Sequence, residues 1–372
     1  MSETRVEKEK AERLKALNIW ARDSLRLHGC PVDADFQLIP ASDDASFRRY
    51  FRPKGVPGDI GERKFIFVDA PPAHENNEAF LGIDKMLASI GVHVPTIYRS
   101  DLKAGYMMLD DFGSQLLLDR LTQFEDNGRS RLVQQAVGLI LTMQSADTGS
   151  QLPDYDEALL ESEMCLFVDW FVAQQLSLKL DAEEKDEVNR VKKLLRESAM
   201  SQPKAFVHRD FHSRNLMVQE PGGLGVIDFQ DAVVGPITYD LVSFLKDCYF
   251  RFPRNEVCER VENFRLLLLE SGRIPQVDSP TFLKWFDFMG MQRHLKCAGI
   301  FSRLNLRDGK PRYLADIPLV IAYLAETCDL YPELATFALL LNRRIVPALE
   351  HSSFQAKLSE SGKQGGPGNC EG

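Results

Sequence analysis

The spacing of apolar residues predicts a strand-rich first third of the chain and a helix-rich remainder. Leu14, Leu17 and Leu25 recur at helical spacing, which predicts an amphipathic helix over residues 5–28. Runs rich in aromatic and β-branched residues predict strands at 46–52, 64–70 and 105–113. From residue 115 onward the pattern is mostly helical, except near residue 210.

A short β-hairpin is predicted after residue 215. The apolar segments 216–219 and 225–227 flank the turn signal P-G-G at 221–223. When the hairpin is folded about this turn, Asn215 lies opposite Asp228 to within a residue or two of register. The hairpin therefore places one oxygen-bearing side chain at the base of each strand.

The change of pattern near residue 113 predicts two domains. We expect a strand-rich N-terminal lobe over residues 1–112 and a helical C-terminal lobe over residues 113–355, which together form an α+β protein. Residues 356–372 are rich in glycine and are predicted to be a disordered tail. A chain of 372 residues is long enough for two such lobes.

The net charge and the placement of the cysteines indicate which partners and which cellular compartment to expect. A formal net charge of -9 argues against nucleic acid or an anionic membrane as the main partner. The N-terminus has no apolar signal core, and the apolar runs are too short to cross a bilayer. The 7 cysteines are scattered, with no zinc-like spacing, as is typical of a reducing compartment. We therefore expect a cytoplasmic protein.

The segment FVHRDFHSRNLMV, residues 206–218, carries the strongest chemical signal. It contains H-R-D-x-x-x-x-N and is followed by D-F at residues 228–229, the constellation of phosphoryl transfer. In this interpretation Asp210 accepts the proton of the substrate hydroxyl, while Asn215 and Asp228 hold Mg²⁺ with the phosphates of ATP. The alternative is a polar loop that satisfies its own hydrogen bonds, but the full spacing and the second aspartate favour catalysis.

These segments resemble a known family. HRDFHSRNLM and VIDFQDAVVGPITYDLVSFLKDCY resemble the aminoglycoside-phosphotransferase-like branch of the protein-kinase-like fold. ASFRRYFR, LDDFG and MQRHLKCAGIFSRL are similar to segments of the anomeric amino-sugar kinases of bacterial cell-wall recycling. The resemblance covers residues from about 12 to 350. It implies a two-lobed kinase-like fold with a nucleotide-binding N-terminal lobe, and ATP-dependent phosphorylation of the C1 hydroxyl of N-acetylmuramate and N-acetylglucosamine.

The resemblance also implies roles for residues around the catalytic loop. His208 and Asp240 would support the loop without contacting substrate. The backbone from Asp110 to Phe112 would be the hinge that holds adenine. The position of Arg214 inside the loop would let it stabilise the transferring phosphoryl group.

One departure concerns the lysine that protein kinases place on their third strand. Here Lys64 only opens the strand, which ends at Asp69, so another cation must meet the phosphates of ATP. Strand alternation puts Arg48 and Arg49 on opposite faces, and Arg49 shares its face with the phenylalanines on either side. Arg49 is therefore the candidate ATP-binding residue, with two solvated arginines as the alternative.

The acceptor is expected to be a small molecule, because the motif reads D-F-Q and no activation-loop signature follows. Residues 291–312 are unusually basic for this chain and would suit an acidic sugar, with Arg293 and His294 as first candidates. The alternatives are that the basic stretch is a solvated helix face and that His294 is a buried histidine satisfied by a neighbour.

Three further residues are candidates for binding the sugar. Trp170 offers a stacking platform and Asp169 a hydroxyl acceptor, although an aromatic run at helical spacing also suits a core. Gln230 follows the second aspartate closely enough to bind the acceptor or to bridge to the metal, or it is structural. No obligate protein partner is inferred. Two other functions stay open: a phosphotransferase for an aminoglycoside, choline or homoserine, and a nucleotide-binding pseudokinase.

Overall fold

The computed structural model of the chain describes residues 3–41, 47–54, 64–123, 127–149, 151–219 and 222–350. The chain divides into two compact units. The first unit contains Met1–Gln135 and Arg214–Asp231, and the second contains Ala136–Ser213 and Ala232–Gly372. The predicted tail, residues 356–372, lies outside the described residues.

A five-stranded antiparallel sheet forms the basis of the first unit. Its strands, in spatial order, are β1 (Gln37–Pro40), β2 (Arg49–Lys54), β3 (Phe65–Asp69), β5 (Tyr106–Asp110) and β4 (Ile97–Asp101). The three strands predicted here are confirmed as β2, β3 and β5, with shifted ends. The sequence pattern missed β1, which has only 4 residues, and β4, whose register is broken by an irregularity between Ile97 and Arg99.

The helices of this unit begin with α1 (Glu3–Leu27), which confirms the predicted amphipathic helix. Its residues Leu17 and Leu25 are fully buried and share a core with Phe51 and Phe67 of the sheet. The helices that follow are α2 (Asn77–Ser89) and α3 (Leu117–Gln123). The next helix, α4 (Asn127–Met143), begins in the first unit, and its residues from Ala136 onward belong to the second.

The predicted hairpin is confirmed and belongs to the first unit. Strands β7 (Leu216–Gln219) and β8 (Gly223–Val226) pair in register from Leu216 with Val226 to Gln219 with Gly223. Their backbone joins the unit because Val218 N donates to Gln115 O at 2.9 Å and Val226 N donates to His93 O at 2.8 Å. The compact units therefore divide the chain differently from the predicted boundary at residues 112 and 113. Pro221 of the turn lies outside the described residues.

Helices dominate the second unit. They are α5 (Glu157–Leu166), a π-helix (Phe167–Gln175), α6 (Ala182–Met200), α7 (Tyr239–Leu245), α8 (Arg254–Glu270), α9 (Ser279–Leu306), a 3₁₀-helix (Pro311–Asp316), α10 (Ile317–Leu330), a 3₁₀-helix (Pro332–Leu334), α11 (Ala335–Leu340), a π-helix (Leu341–Ile345) and α12 (Val346–Glu350). The unit also contains the antiparallel pair β6 (Lys204–Val207) and β9 (Val233–Pro236).

The long helix α9 is the centre of the second unit. It packs against α5, α6, α7, α8, α10 and the first π-helix. Close approach to α5 depends on Gly299, because a Cβ atom there would lie 2.4 Å from the backbone carbon of Leu166. Several polar residues of α9 are buried as a result, and each needs a partner in the interior.

The predicted α+β class is confirmed by this combination of a sheet-based unit and a helical unit. Within the described ranges, every helix is too short or too polar to span a bilayer.

Candidate active site

In the second unit, helix α7 holds the predicted catalytic loop in place. Asp240 accepts hydrogen bonds from the backbone N–H of His208 at 2.7 Å and of Arg209 at 3.2 Å. Seven residues later, Asp247 accepts from the N–H of Ser213 at 3.0 Å and from its hydroxyl at 2.5 Å. Asp240 lies in the first turn of α7 and Asp247 lies two residues beyond its end, and together they hold both ends of the loop.

The start of this loop is strained. Arg209 has a backbone φ of 74°, a region that non-glycine residues seldom adopt. Burial raises the pKa of Asp240 to about 7, even though the N–H groups of His208 and Arg209 oppose that rise. Such strain persists only where the surrounding structure over-determines the backbone, which is the situation at many active sites.

Asp210 is half-buried at the middle of the loop. Burial alone would raise the pKa of its carboxyl, but the positive charges of Lys296, His212, Arg293 and Arg209 outweigh burial and lower the pKa to about 2. The carboxylate is therefore ionised throughout the neutral range. It can accept a hydrogen bond from a hydroxyl and then accept the proton.

The cations near Asp210 are held by Glu163 of α5. Lys296 Nζ lies 3.1 Å from Glu163 Oε1, and Arg209 Nη2 donates to the same oxygen at 2.5 Å. Tyr155 donates its hydroxyl to the other oxygen, and Lys296 donates to Tyr239 Oη at 3.1 Å. Sequence reasoning missed this cluster. Its only local signal was the presence of two acids, Glu161 and Glu163, within the mostly apolar stretch LLESEMCLF.

The acceptor candidates on α9 lie in the interior. Arg293 is 3% exposed and its Nη1 lies 3.5 Å from Cys248 Sγ. His294 is fully buried, stacks on Tyr323 with ring centroids 4.7 Å apart, and lies 3.0 Å from the carbonyl oxygen of Lys246. Burial lowers the pKa of His294 to about 3. This environment favours the alternative of a buried histidine satisfied by its neighbours.

The other acceptor candidates of this unit are more accessible. Asp169 is exposed and Trp170 is half-buried, and both lie in the π-helix Phe167–Gln175. The backbone carbonyl of Asp169 accepts from Gln174 Nε2 at 2.9 Å. π-Helical turns often occur at functional sites, so these two residues stay sugar-binding candidates.

In the first unit, the base of the hairpin brings Asn215, Asp228 and Gln230 together, as the sequence predicted. Asn215 Nδ2 donates to Asp228 Oδ2 at 3.3 Å, and Gln230 Nε2 donates to Asp228 Oδ1 at 2.9 Å. The backbone N–H of Ile227 donates to the carbonyl of Asn215 at 3.2 Å. Asp228 is exposed and has a φ of 66°, so this turn also stores strain.

The donor set at Asp228 fits magnesium. Mg²⁺ prefers oxygen ligands and usually takes only one or two from protein side chains, with water and phosphate as the rest. Asp228 supplies a carboxylate, and the amides of Asn215 and Gln230 each carry an oxygen. Over the part of the chain that the structure describes, no group of three or more His, Cys, Asp or Glu side chains could hold a metal alone. Arg214 is half-buried beside Asn215.

The residues predicted to bind ATP, the Arg49 side chain and the backbone hinge from Asp110 to Phe112, have partners within the first unit. Arg49 forms an ion pair with Asp69 at 2.5 Å and also donates to the carbonyl of Lys10. Asp110 accepts from the hydroxyl of Tyr98 at 2.6 Å. The carbonyl of Phe112 accepts from Gln219 Nε2 at 2.9 Å. The pairing of Arg49 with a buried carboxylate does not favour its predicted role at the phosphates.

The fold and these two clusters define a class, the kinase-like phosphotransferases. The chain belongs to the phosphotransferase enzyme family, whose sequence model matches residues 37–270. Its resemblance to this family is thereby confirmed, and so is the prediction of an enzyme that transfers a phosphoryl group to a hydroxyl.

Curated relatives match most of the chain. A protein of Pseudomonas aeruginosa named N-acetylmuramate/N-acetylglucosamine kinase is 43% identical over 306 residues, covering 82% of this chain and 88% of the relative. A Pseudomonas putida protein of the same name is 40% identical over 333 residues, covering 88% and 96%. Among solved structures, an ADP-bound aminoglycoside phosphotransferase has a TM-score of 0.52 at 12% identity, with 82% of this chain and 97% of that chain covered. This structural similarity confirms the kinase-like fold.

Proposed function

We propose that the protein is an ATP- and magnesium-dependent kinase that phosphorylates the anomeric C1 hydroxyl of N-acetylmuramate and N-acetylglucosamine. The products would be sugar 1-phosphates that re-enter peptidoglycan metabolism in the cytoplasm. The proposal is carried by the presence of Asp210, Asn215 and Asp228 at family spacing in a chain 43% identical to a kinase of that name. The C1 position comes from the family resemblance.

Asp210 is the general base of the proposed reaction. Its carboxylate orients the sugar hydroxyl, whose oxygen attacks the γ-phosphorus as the bond to the leaving ADP oxygen breaks. The proton then passes to Asp210. A pKa near 2 makes Asp210 a weak base, which suits a loose transition state in which orientation matters more than early proton removal.

Asn215 and Asp228 would hold magnesium through their side-chain oxygens. Magnesium supplies positive charge that offsets the negative charge of the phosphate oxygens. Gln230 already donates to Asp228 and would fix the orientation of that carboxylate. The position of Arg214 next to Asn215 suits a role at the transferring phosphoryl group.

Recognition of the sugar is proposed to rest on groups that both sugars share. N-acetylmuramate differs from N-acetylglucosamine by a lactyl ether, so a kinase for both sugars needs no cation dedicated to the lactyl carboxylate. This argument agrees with the burial of Arg293 and His294. Trp170 and Asp169 are then the better candidates, because one can stack on a pyranose ring and the other can accept hydroxyl hydrogen bonds.

An ADP-release assay with ATP and magnesium tests the proposal. The acceptors are N-acetylmuramate, N-acetylglucosamine, glucose, kanamycin, choline and homoserine. We expect turnover with the two N-acetylated sugars only. Turnover with an amine instead would support the proposed role of the catalytic loop but contradict the proposed sugar acceptor. No turnover with any acceptor, with ADP still bound, would support a pseudokinase.

A further inference from the structure

The phosphates of ATP need a cation, and the third strand does not supply it. Strand β3 ends at Asp69, a buried carboxylate that Arg13 and Arg49 contact at 2.5 Å each. Antiparallel register places Arg49 directly opposite Asp69, so their pairing is built into the sheet. Removing Arg49 from this carboxylate to reach a phosphate would leave part of a buried negative charge uncompensated.

The neighbouring residue, Arg48, has a different environment. Its side chain is 2% exposed, against 23% for Arg49. Its guanidinium lies over the ring of Phe80 in α2, 4.8 Å from the ring centroid. An arginine buried on an aromatic face is held in one orientation and partly desolvated, which strengthens its attraction for an anion.

A stack of two rings connects Arg48 to the candidate magnesium site of the same unit. Phe80 stacks on Phe229 with centroids 5.0 Å apart and an interplanar angle of 21°. Phe229 directly follows Asp228 in the chain. The ring that Arg48 contacts therefore stacks on the residue next to Asp228 in the chain, an arrangement that suits a cation and a metal ligand serving one polyphosphate.

A carboxylate also orients Arg48. Glu75, just before α2, lies 3.2 Å from Arg48 Nη2. Protein kinases require an ion pair between the phosphate-binding lysine and a glutamate of the helix that follows. Arginine has five N–H donors in a fork, so one guanidinium can serve a carboxylate and a phosphate together.

We propose that Arg48, oriented by Glu75 and stacked on Phe80, is the residue that binds the phosphates of the nucleotide in place of the missing strand lysine. The inference rests on the use of a nucleotide in the proposed function. The proposal replaces Arg49, the residue chosen from the sequence, with Arg48. Strand alternation predicted that the two arginines lie on opposite faces, but the arginine that was chosen pairs with Asp69 in the sheet.

Calorimetric titration of ADP and of adenosine, both with magnesium, tests this assignment. R48M is expected to weaken ADP binding about tenfold or more, the range for loss of a charge-assisted hydrogen bond, and to leave adenosine binding within about twofold. R48K should lose less than R48M. E75Q should weaken the binding of ADP but not of adenosine, because Arg48 loses the carboxylate that orients it. R26M, at an exposed arginine of α1, is the matched control.

The competing candidate is tested by R49M, which should leave the ratio of ADP to adenosine affinity unchanged even if it lowers Tm. Loss of ADP affinity in R49M but not in R48M would overturn the proposal, as would an ADP affinity of R48M equal to wild type. If R48M does not fold, the ratio of ADP to adenosine affinity measured in R48K and E75Q tests the proposal instead. Sugar phosphorylation by the wild type is measured separately, so failure of the proposed substrate would not be mistaken for failure of Arg48.

Discussion

Asp210 shows how a single carboxylate can be kept charged in a half-buried position. Burial favours its neutral form, and four surrounding cations reverse that preference. Because its pKa is lowered, its electrostatic contribution to stability is present above the ordinary aspartate pKa of about 3.9 and is lost as pH falls toward 2. At neutral pH Asp210 would need no deprotonation before it acts as the proposed base.

Lys296 is expected to control the protonation of Asp210. K296M removes the first of the cations that lower the pKa of Asp210, so that pKa should rise by about one unit or more. The acid limb of the kcat/KM profile should then move toward neutral pH, whereas K296R should retain the wild-type profile. Profiles of K296M and K296R that superimpose between about pH 2 and pH 5, the range in which the two pKa values of Asp210 are expected to lie, would contradict this role.

Asp228 is expected to link nucleotide binding to magnesium. D228A removes the only carboxylate of the cluster with Asn215 and Gln230, so ADP affinity should lose its dependence on magnesium. Titrations of ADP with magnesium and with EDTA measure this directly. D186N, at an exposed position on α6, should behave like the wild type. Equal magnesium dependence in D228A and wild type would defeat the assignment.

At the scale of elements, helix α7 acts as a clamp on the catalytic loop. Asp240 in this helix and Asp247 just beyond its end hold backbone groups at both ends of the loop, so neither needs to touch substrate. Positioning of this kind affects the rate more than binding, because only the reacting geometry depends on it.

Removal of Asp247 tests the clamp. D247A should lower kcat by about tenfold or more while leaving the KM for ATP close to wild type, because Ser213 loses two hydrogen bonds. D247N retains an acceptor oxygen and should recover part of the rate. A lower Tm with an unchanged kcat would show that Asp247 only stabilises the fold.

Helix α9 depends on a close contact with α5. G299A places a methyl group against the backbone of Leu166, so we expect destabilisation of about 1–3 kcal/mol. The matched control is G138A in α4, where nothing lies within 4 Å of the added atom and the higher helix propensity of alanine should stabilise slightly. Urea denaturation midpoints compare the two. Equal midpoints would mean that the contact at Gly299 relaxes without cost.

At the scale of the whole molecule, features set by neighbouring residues could be predicted from the sequence, whereas contacts between distant segments could not. The hairpin could be predicted because its turn residues and both flanking metal candidates lie in one short segment, with Asn215 and Asp228 separated by 13 positions along the chain. The pairing of Glu163 with Lys296 joins α5 to α9, and no periodicity reports it. For the same reason the basic character of residues 291–312 was visible, while the burial of Arg293 was not.

The choice between Arg48 and Arg49 illustrates the same limit. Strand alternation correctly assigned the two arginines to opposite faces. Which face is buried depends on Phe80 from α2 and on Asp69 from β3, and both contacts arise only in the folded sheet. The π-helix Phe167–Gln175 was also missed, because its residues share the apolar spacing of an ordinary helix.

Phosphorus NMR of the reaction product is the most direct test of the central claim. Wild-type protein with ATP, magnesium and N-acetylglucosamine should give a phosphate coupled to the anomeric proton. D210N should give none, while binding ADP as tightly as wild type. A phosphate at another hydroxyl would contradict the C1 assignment. Product formation by D210N at the wild-type rate would remove Asp210 from the reaction.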